Sequence, residues 1–268
     1  MRAGQLVKRT SAALDTIAAP AAGITILIYH RIGGGSDSAV DLHPDLFEQQ
    51  LAHLAAHHDV ITLDEAVRRL ATADATNRPT VVITFDDGTA DFTDVAVPAL
   101  VRHGLPATLY AATRFIDEGE TFPWGAPPTS WTALADAIST GLVTVGSHTH
   151  SHWLLNRRAP GDVGADLDRS IALIGEHLGS APTHFAYPKA LPGAPAAEIA
   201  VRRRFRSASL AGNRVNRPGA TDPYRLTRTP IQSDDGFRWF AAKAAGGLRL
   251  EGEIRSALAR LRYRKATS

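Results

Sequence analysis

Two short clusters in this 268-residue chain carry side chains able to do chemistry, Asp86-Asp87-Gly88 and His148-Thr149-His150-Ser151-His152. Adjacent carboxylates raise each other's pKa, and a nearby cation relieves the repulsion. Histidines four apart lie on one face of a helical turn and can chelate one ion. Two imidazoles and one carboxylate, with a position left open for water, make up a catalytic zinc site. Each cluster also has a plainer reading. Asp87 or Thr89 would cap the helical pattern that follows, and alternating histidines can form a simple polar loop. Position argues for chemistry: the aspartates follow the apolar run VVITF, His148 ends LVTVGSH, and His30 ends ITILIYH. There is no cysteine, so disulfides, thiolate ligands and cysteine nucleophiles are excluded.

Short, apolar, β-branched runs at 24–30, 81–85, 107–112, 142–148, 184–188, 205–211 and 225–231 read as strands. Amphipathic patterns at 43–57, 63–71, 94–103, 163–178 and 195–204 read as helices, with two more near 234–245 and 250–263. Continuous apolar strands alternating with helices imply a mostly parallel sheet covered by helices. No Gly-rich phosphate fingerprint follows the first strand, which favours a closed barrel over a dinucleotide-binding sheet. In such a barrel the carboxyl ends of the strands converge on one face, where catalytic residues gather. The stretch TFPWGAPPTSW (121–131) reads as a long loop inserted in a βα connection.

The chain divides into a lead-in segment, 1–22, and one barrel domain, 23–268. A net charge of +2 gives no reason to expect nucleic-acid binding. Arg255, Arg260, Arg262, Arg264 and Lys265 crowd the last helix. That run reads first as a solvated face, and second as a contact with anionic lipid or a partner. Asp15 and Pro20 interrupt the segment after Arg2, Lys8 and Arg9, so the uninterrupted apolar core of a secretory signal is missing. No apolar run approaches the roughly 18 residues that span a bilayer. The expectation is a cytoplasmic protein.

TFDDG at 84–88 and HTHSH at 148–152, in this order and separation, resemble the first two motifs of the polysaccharide deacetylases. This is carbohydrate esterase family four, the NodB-homology group, and the resemblance covers roughly residues 24–231. It implies a distorted (β/α)7 barrel with Asp86 as general base and Asp87, His148 and His152 as metal ligands. The implied metal is zinc, with cobalt and nickel as alternatives, and His150 becomes a flanking, substrate-facing group.

The third motif departs from the family's Arg-x-Pro-Tyr-Gly, for the chain reads Ala186-Tyr187-Pro188-Lys189-Ala190. The arginine that orients the base is missing, as in a FAYP-type subset of the family, and Arg225 or Arg228 is the candidate replacement. The main-chain N–H of Lys189 would support an oxyanion, a role indifferent to the side chain. The C-terminal Leu-x-His motif is absent, since no histidine follows His184. His30 is the expected general acid instead, resembling the poly-N-acetylglucosamine deacetylases, where the motif is permuted to the front. First and last strands are neighbours in a closed barrel, which makes the exchange physically sound. Tyr187 and Trp124 are the remaining candidates to touch substrate.

The resemblance implies removal of an N-acetyl group from an N-acetylated sugar or glycan, with release of acetate. A deformylase or imidase acting on a small or lipid-linked substrate is the alternative within enzymes. A degenerate sugar-binding module without turnover is the alternative outside them.

Overall fold

Runs of β-branched and apolar residues become largely buried strands in this chain. The computed structural model describes residues 3–17, 22–72 and 78–265. The side chains of Arg260, Arg262, Arg264 and Lys265, with Arg2 and Pro20, lie outside the described residues. The strands are β1 (Ile24–Tyr29), β2 (Asp59–Val60), β3 (Thr80–Asp87), β4 (Ala107–Ala111), β5 (Val143–Ser147), β6 (His184–Ala186), β7 (Ser207–Ala211) and β8 (Leu226–Pro230). Every pairing between them is parallel.

The order β1-β8-β7-β6-β5-β4-β3 closes on itself through the β1–β3 pairing, from Ile24 opposite Thr80 to Tyr29 opposite Phe85. Seven strands therefore form the barrel, as expected from the sequence. The two-residue β2 is extra: it pairs with the start of β3 on the edge that β4 takes over from Ile83 onward. Closure removes the unpaired edges of an open sheet.

The helices are α1 (Ala3–Ile17), α2 (Pro44–His57), α3 (Leu63–Thr72), α4 (Val97–His103), α5 (Thr113–Glu118), α6 (Trp131–Ser139), α7 (Pro160–Leu178), α8 (Pro195–Arg202), α9 (Gly236–Ala244) and α10 (Arg249–Lys265). The pattern read as one helix from 94 is a π-helical turn over Phe92–Ala96 that runs into α4. Pro98 has no N–H to give to the carbonyl of Asp94, so the ladder widens and Val97 bonds back to Phe92. Helices α5 and α6 flank the 121–131 loop, and neither stands out in the sequence, because each spans fewer than three turns.

The barrel interior is partly polar. Tyr110 fills it, its hydroxyl 3.1 Å from Ser209, and Gly146 makes the room: a Cβ there would sit 2.7 Å from the Tyr110 ring. The segment 3–17 is a helix packed on α9 and α10. Its Lys8 is wholly buried, 2.7 Å from Asp235, and Asp15 accepts a hydrogen bond from the Leu248 N–H at the start of α10.

Candidate active site

At the carboxyl end of β3 the chain presents two consecutive acids. Neighbouring residues on a strand normally face opposite sides of the sheet. Here Asp87 has φ +76°, which breaks the alternation, and both carboxylates line one cavity of about 170 Å³. Gly88 follows at φ +99°, with the Ile116 side chain 3.0 Å from where a Cβ would stand. The DDG sequence is thus a strand end bent over a site. Neither Asp87 nor Thr89 accepts a helix N–H through its side chain among the described residues; the Thr89 hydroxyl instead donates to Asp91 at 2.6 Å, so the simple capping reading of DDG is not what the structure shows.

His148 and His152 are not on a helical turn. They belong to the loop after β5, and left-handed backbone at Thr149 (φ +70°) and His152 (φ +55°) folds them together. Such conformations are costly for a β-branched residue and persist only when the surroundings over-determine them. Here the surroundings do. The Asp166 carboxylate on α7 accepts the N–H groups of His150 (2.9 Å) and Ser151 (3.0 Å). Thr113 and Arg114, at the start of α5, donate their N–H groups to the carbonyls of Thr149 and His150.

The result brings one oxygen of Asp87 and one nitrogen of each outer histidine within 4.8 Å of one another. Nε2 of His152 lies 3.2 Å from Asp87 Oδ1, and Nε2 of His148 lies 3.6 Å from the same atom. The other ring nitrogen of His148 bonds the Ala186 carbonyl at 2.8 Å, which fixes the ring and turns Nε2 inward. Burial pushes the His148 imidazole down to about 4, so it is neutral and carries a free lone pair at ordinary pH. Burial pushes Asp87 up, but the hydrogen bond from His152 and the attraction of that ring outweigh it and hold the carboxyl well below the usual range. Among the described residues no lysine or arginine pairs with Asp87. Among those residues no fixed cation balances it, and a divalent ion in this oxygen-and-imidazole set would do so. The donors fit.

Asp86 is treated differently. Arg228, on β8 across the barrel, grips it with two bonds, Nη1 to Oδ1 at 2.6 Å and Nη2 to Oδ2 at 2.8 Å. Arg228 is fully buried, bonds Thr84 at 3.1 Å, and lies 4.9 Å from the centre of the Tyr110 ring. Burial raises the Asp86 carboxyl, yet the charge and hydrogen bonds of Arg228 more than offset it and keep it ionised. Of the two arginines considered from the sequence, Arg228 takes the place of the missing guanidinium. Arg225 instead holds Glu198 outside the barrel.

His30 lines the same cavity, and its Nδ1 is buried without a partner among the described residues. Lys189 lines it too, at φ +54°, and its backbone N–H has no acceptor among the described residues. Trp124 stands at the rim, its ring 6.0 Å from that of His152, with the Lys189 ammonium 5.0 Å from its centroid. Two sequence candidates fall elsewhere. Tyr187 is 2% exposed and packs edge-on against Phe185 at 5.0 Å in a cluster beneath α8. His150 turns away from the cavity, its Nδ1 3.1 Å from the Thr113 hydroxyl. Sequence reading missed Asp166 and Thr84. Asp166 sits on the inward stripe of α7, where a lone acid is the one available hint.

The family model for polysaccharide deacetylases matches residues 73–206. The polysaccharide deacetylase relative YxkH of Bacillus subtilis (strain 168) is 27% identical over 171 residues, 62% of this chain and 57% of its own length. The chain thus spans little more than half of that relative. Among solved structures, IcaB from Ammonifex degensii superposes with a TM-score of 0.75 at 27% identity, covering 84% of this chain and 98% of its own. The Streptococcus pyogenes deacetylase PplD, solved in complex with acetate, gives a TM-score of 0.74 over 84% of this chain and 99% of its own. At 22% identity it supports the fold alone.

Proposed function

The chain belongs to the polysaccharide deacetylase family, and from that premise we propose that it is a metal-dependent hydrolase removing the acetyl group from an N-acetylated sugar or glycan. The observation that carries the reading is the unequal treatment of two adjacent acids. Asp86 is clamped by a guanidinium, whereas Asp87 faces only imidazoles.

Asp87, His148 and His152 would hold the ion, zinc being the best match to these donors. When bound it would supply Lewis acidity to a water and to the amide carbonyl. The rest falls to the chain. Asp86 is the general base, and the bidentate grip of Arg228 keeps it ionised and aimed while each oxygen retains a free lone pair. The free N–H of Lys189 faces the developing oxyanion. His30 protonates the leaving amine, completing an amide cleavage that gives acetate and a free amino sugar. Trp124 offers an apolar face at the rim for a sugar ring.

Incubation of the metal-loaded protein with tri-N-acetylchitotriose, with acetate and primary amine assayed separately, tests this directly. Equal amounts of the two products are expected. Formate release from a formamido sugar with no acetate from any N-acetyl sugar would refute the acetyl specificity. A loaded protein that binds the sugar and releases neither acid would refute the enzyme.

A further inference from the structure

A second and larger hollow adjoins the catalytic cavity. It measures about 460 Å³ and shares Lys189, Ala190, Ala211 and Pro230 with the site, so the two border one another along these residues. Its far wall is α10, through Gly252, Arg255, Ser256 and Leu258.

The seating of that wall is specified by close contacts. A Cβ on Gly252 would lie 2.6 Å from the backbone nitrogen of Asn213, so only glycine lets α10 approach this closely. The Asn213 amide donates to the Leu248 carbonyl at 3.0 Å, and Asp15 of α1 accepts the Leu248 N–H. Helix α1 thus braces α10, and α10 encloses the groove.

The lining is mixed. Leu191, Pro192, Leu210 and Leu258 give it an aliphatic side, and Lys189, Asn213, Gln232 and Ser256 a polar one. No aromatic ring lines it on which a sugar would stack. Two guanidinium groups stand among them. Arg225 uses Nη2 for Glu198, and Arg255 uses Nε for Glu251, so each keeps N–H donors for another anion. Leu258 is 60% exposed, and Leu261 one turn further on is also exposed, extending the apolar track along α10 beyond the groove.

The geometry points to a substrate whose sugar is carried on a lipid phosphate: the N-acetyl sugar enters the catalytic cavity, the isoprenoid or acyl chain lies along the aliphatic groove, and the phosphate meets Arg225 or Arg255. The sugar half of this assignment rests on the hydrolase reading above. The groove half does not, because lipid-phosphate binding is measurable without turnover.

Calorimetric titration of the full chain with farnesyl phosphate, kept below its aggregation threshold, reads the groove by itself. Farnesyl phosphate is expected to bind at least tenfold more tightly than farnesol or inorganic phosphate. S256W, which fills the groove from α10, is expected to weaken it at least tenfold, and R255Q about threefold or more. L258E is a second apolar disruption at an exposed site, and retained metal binding reports that each variant is folded. Acetate release then compares farnesyl-phosphate-linked N-acetylglucosamine with free N-acetylglucosamine. A kcat/KM advantage of at least tenfold for the linked sugar, erased in S256W, is expected.

The proposal is overturned if farnesyl phosphate binds no better than inorganic phosphate, or if both S256W and L258E bind it as the parent does. It is also overturned if phosphatidylglycerol vesicles displace it at equal phosphate, or if S256W weakens chitotriose binding instead. Groove binding with no acetate from any substrate would sink the hydrolase reading and leave the groove assignment standing.

Discussion

Two buried charge clusters in this molecule look alike in composition and behave differently. At the barrel mouth are Asp86, Asp87, Arg228 and three histidines. Beneath the terminal helices are Lys8, Asp234, Asp235, Lys243, Glu251 and Arg255. In the second cluster every charge has its partner: Lys8 meets Asp235 at 2.7 Å and Asp234 at 3.2 Å, Lys243 meets Asp235 at 2.8 Å and Glu251 at 3.7 Å, and Arg255 closes on Glu251 at 3.0 Å. Three cations face three anions, and only Arg255, at the cluster's exposed edge, keeps N–H donors beyond its bond to Glu251. At the mouth Arg228 satisfies Asp86 alone, and Asp87 meets only imidazoles. The mouth also concentrates left-handed backbone at Asp87, Thr149, His152, Lys189 and Ala190, five of the six such non-glycine positions among the described residues. A buried ion cluster that closes on itself fixes helices in place. One that converges on a cavity with a charge deficit and stored backbone strain is built to bind and react.

The largest effect that would break this contrast is loss of the metal at the mouth. H148A removes a fixed donor, and acetate release is expected to fall below detection together with metal content. D86N comes next: turnover is expected to drop about 10²–10⁴-fold, the usual weight of a general base. H30Q is expected to cost about 10²-fold on an amide substrate, within the same range. It should cost little on 4-nitrophenyl acetate, whose leaving group needs no proton. Equal losses on the two substrates would remove His30 from the acid role.

The closed cluster responds in stability instead. D235A strands Lys8 and Lys243 in the interior and is expected to cost about 3–5 kcal/mol in a denaturant titration, the range for breaking a buried pair. Its effect on kcat should be small. The same cluster sets an acid limit. Burial raises the Asp235 carboxyl, but Lys243 and Lys8 outweigh it and hold its folded pKa below the usual value. A carboxylate depressed in the folded state stabilises above its unfolded pKa of about 3.9, and that contribution fades as pH falls through the lower folded value. Thermal melts of the parent should therefore decline below about pH 4, and D235A should show a shallower decline. The smallest expected change is W124A, a rise in KM of a few-fold with kcat little altered.

The barrel was legible because burial on both faces leaves an unbroken apolar signature, and seven such runs are hard to misread. The candidate metal group was legible because Asp87, His148 and His152 are chemically conspicuous at strand ends. The reason given for the histidine pair was wrong, since a strained loop and not a helical turn brings them together. Backbone φ values set by Asp166 and α5 leave no local mark in the sequence. Arg228 could be named only as one of two candidates, because a single strand register decides which guanidinium points inward: Arg228 stands opposite Ile26 and Ala211 and faces Asp86. Tyr187 beside the expected oxyanion donor looked substrate-facing, yet the alternation along its segment sends it into the core beneath α8. Lys8 sits in the segment read only as a lead-in, and the tertiary packing of α1 is what reveals its buried partner.

The asymmetry between the two adjacent acids bears the central claim, and metal content of matched variants tests it most directly. Purified D86N and D87N, each reconstituted with zinc and dialysed, are to be compared by inductively coupled plasma mass spectrometry. About one zinc per chain in D86N and none in D87N is the expected result. Zinc lost from D86N, or kept in D87N, would contradict the division of labour proposed here.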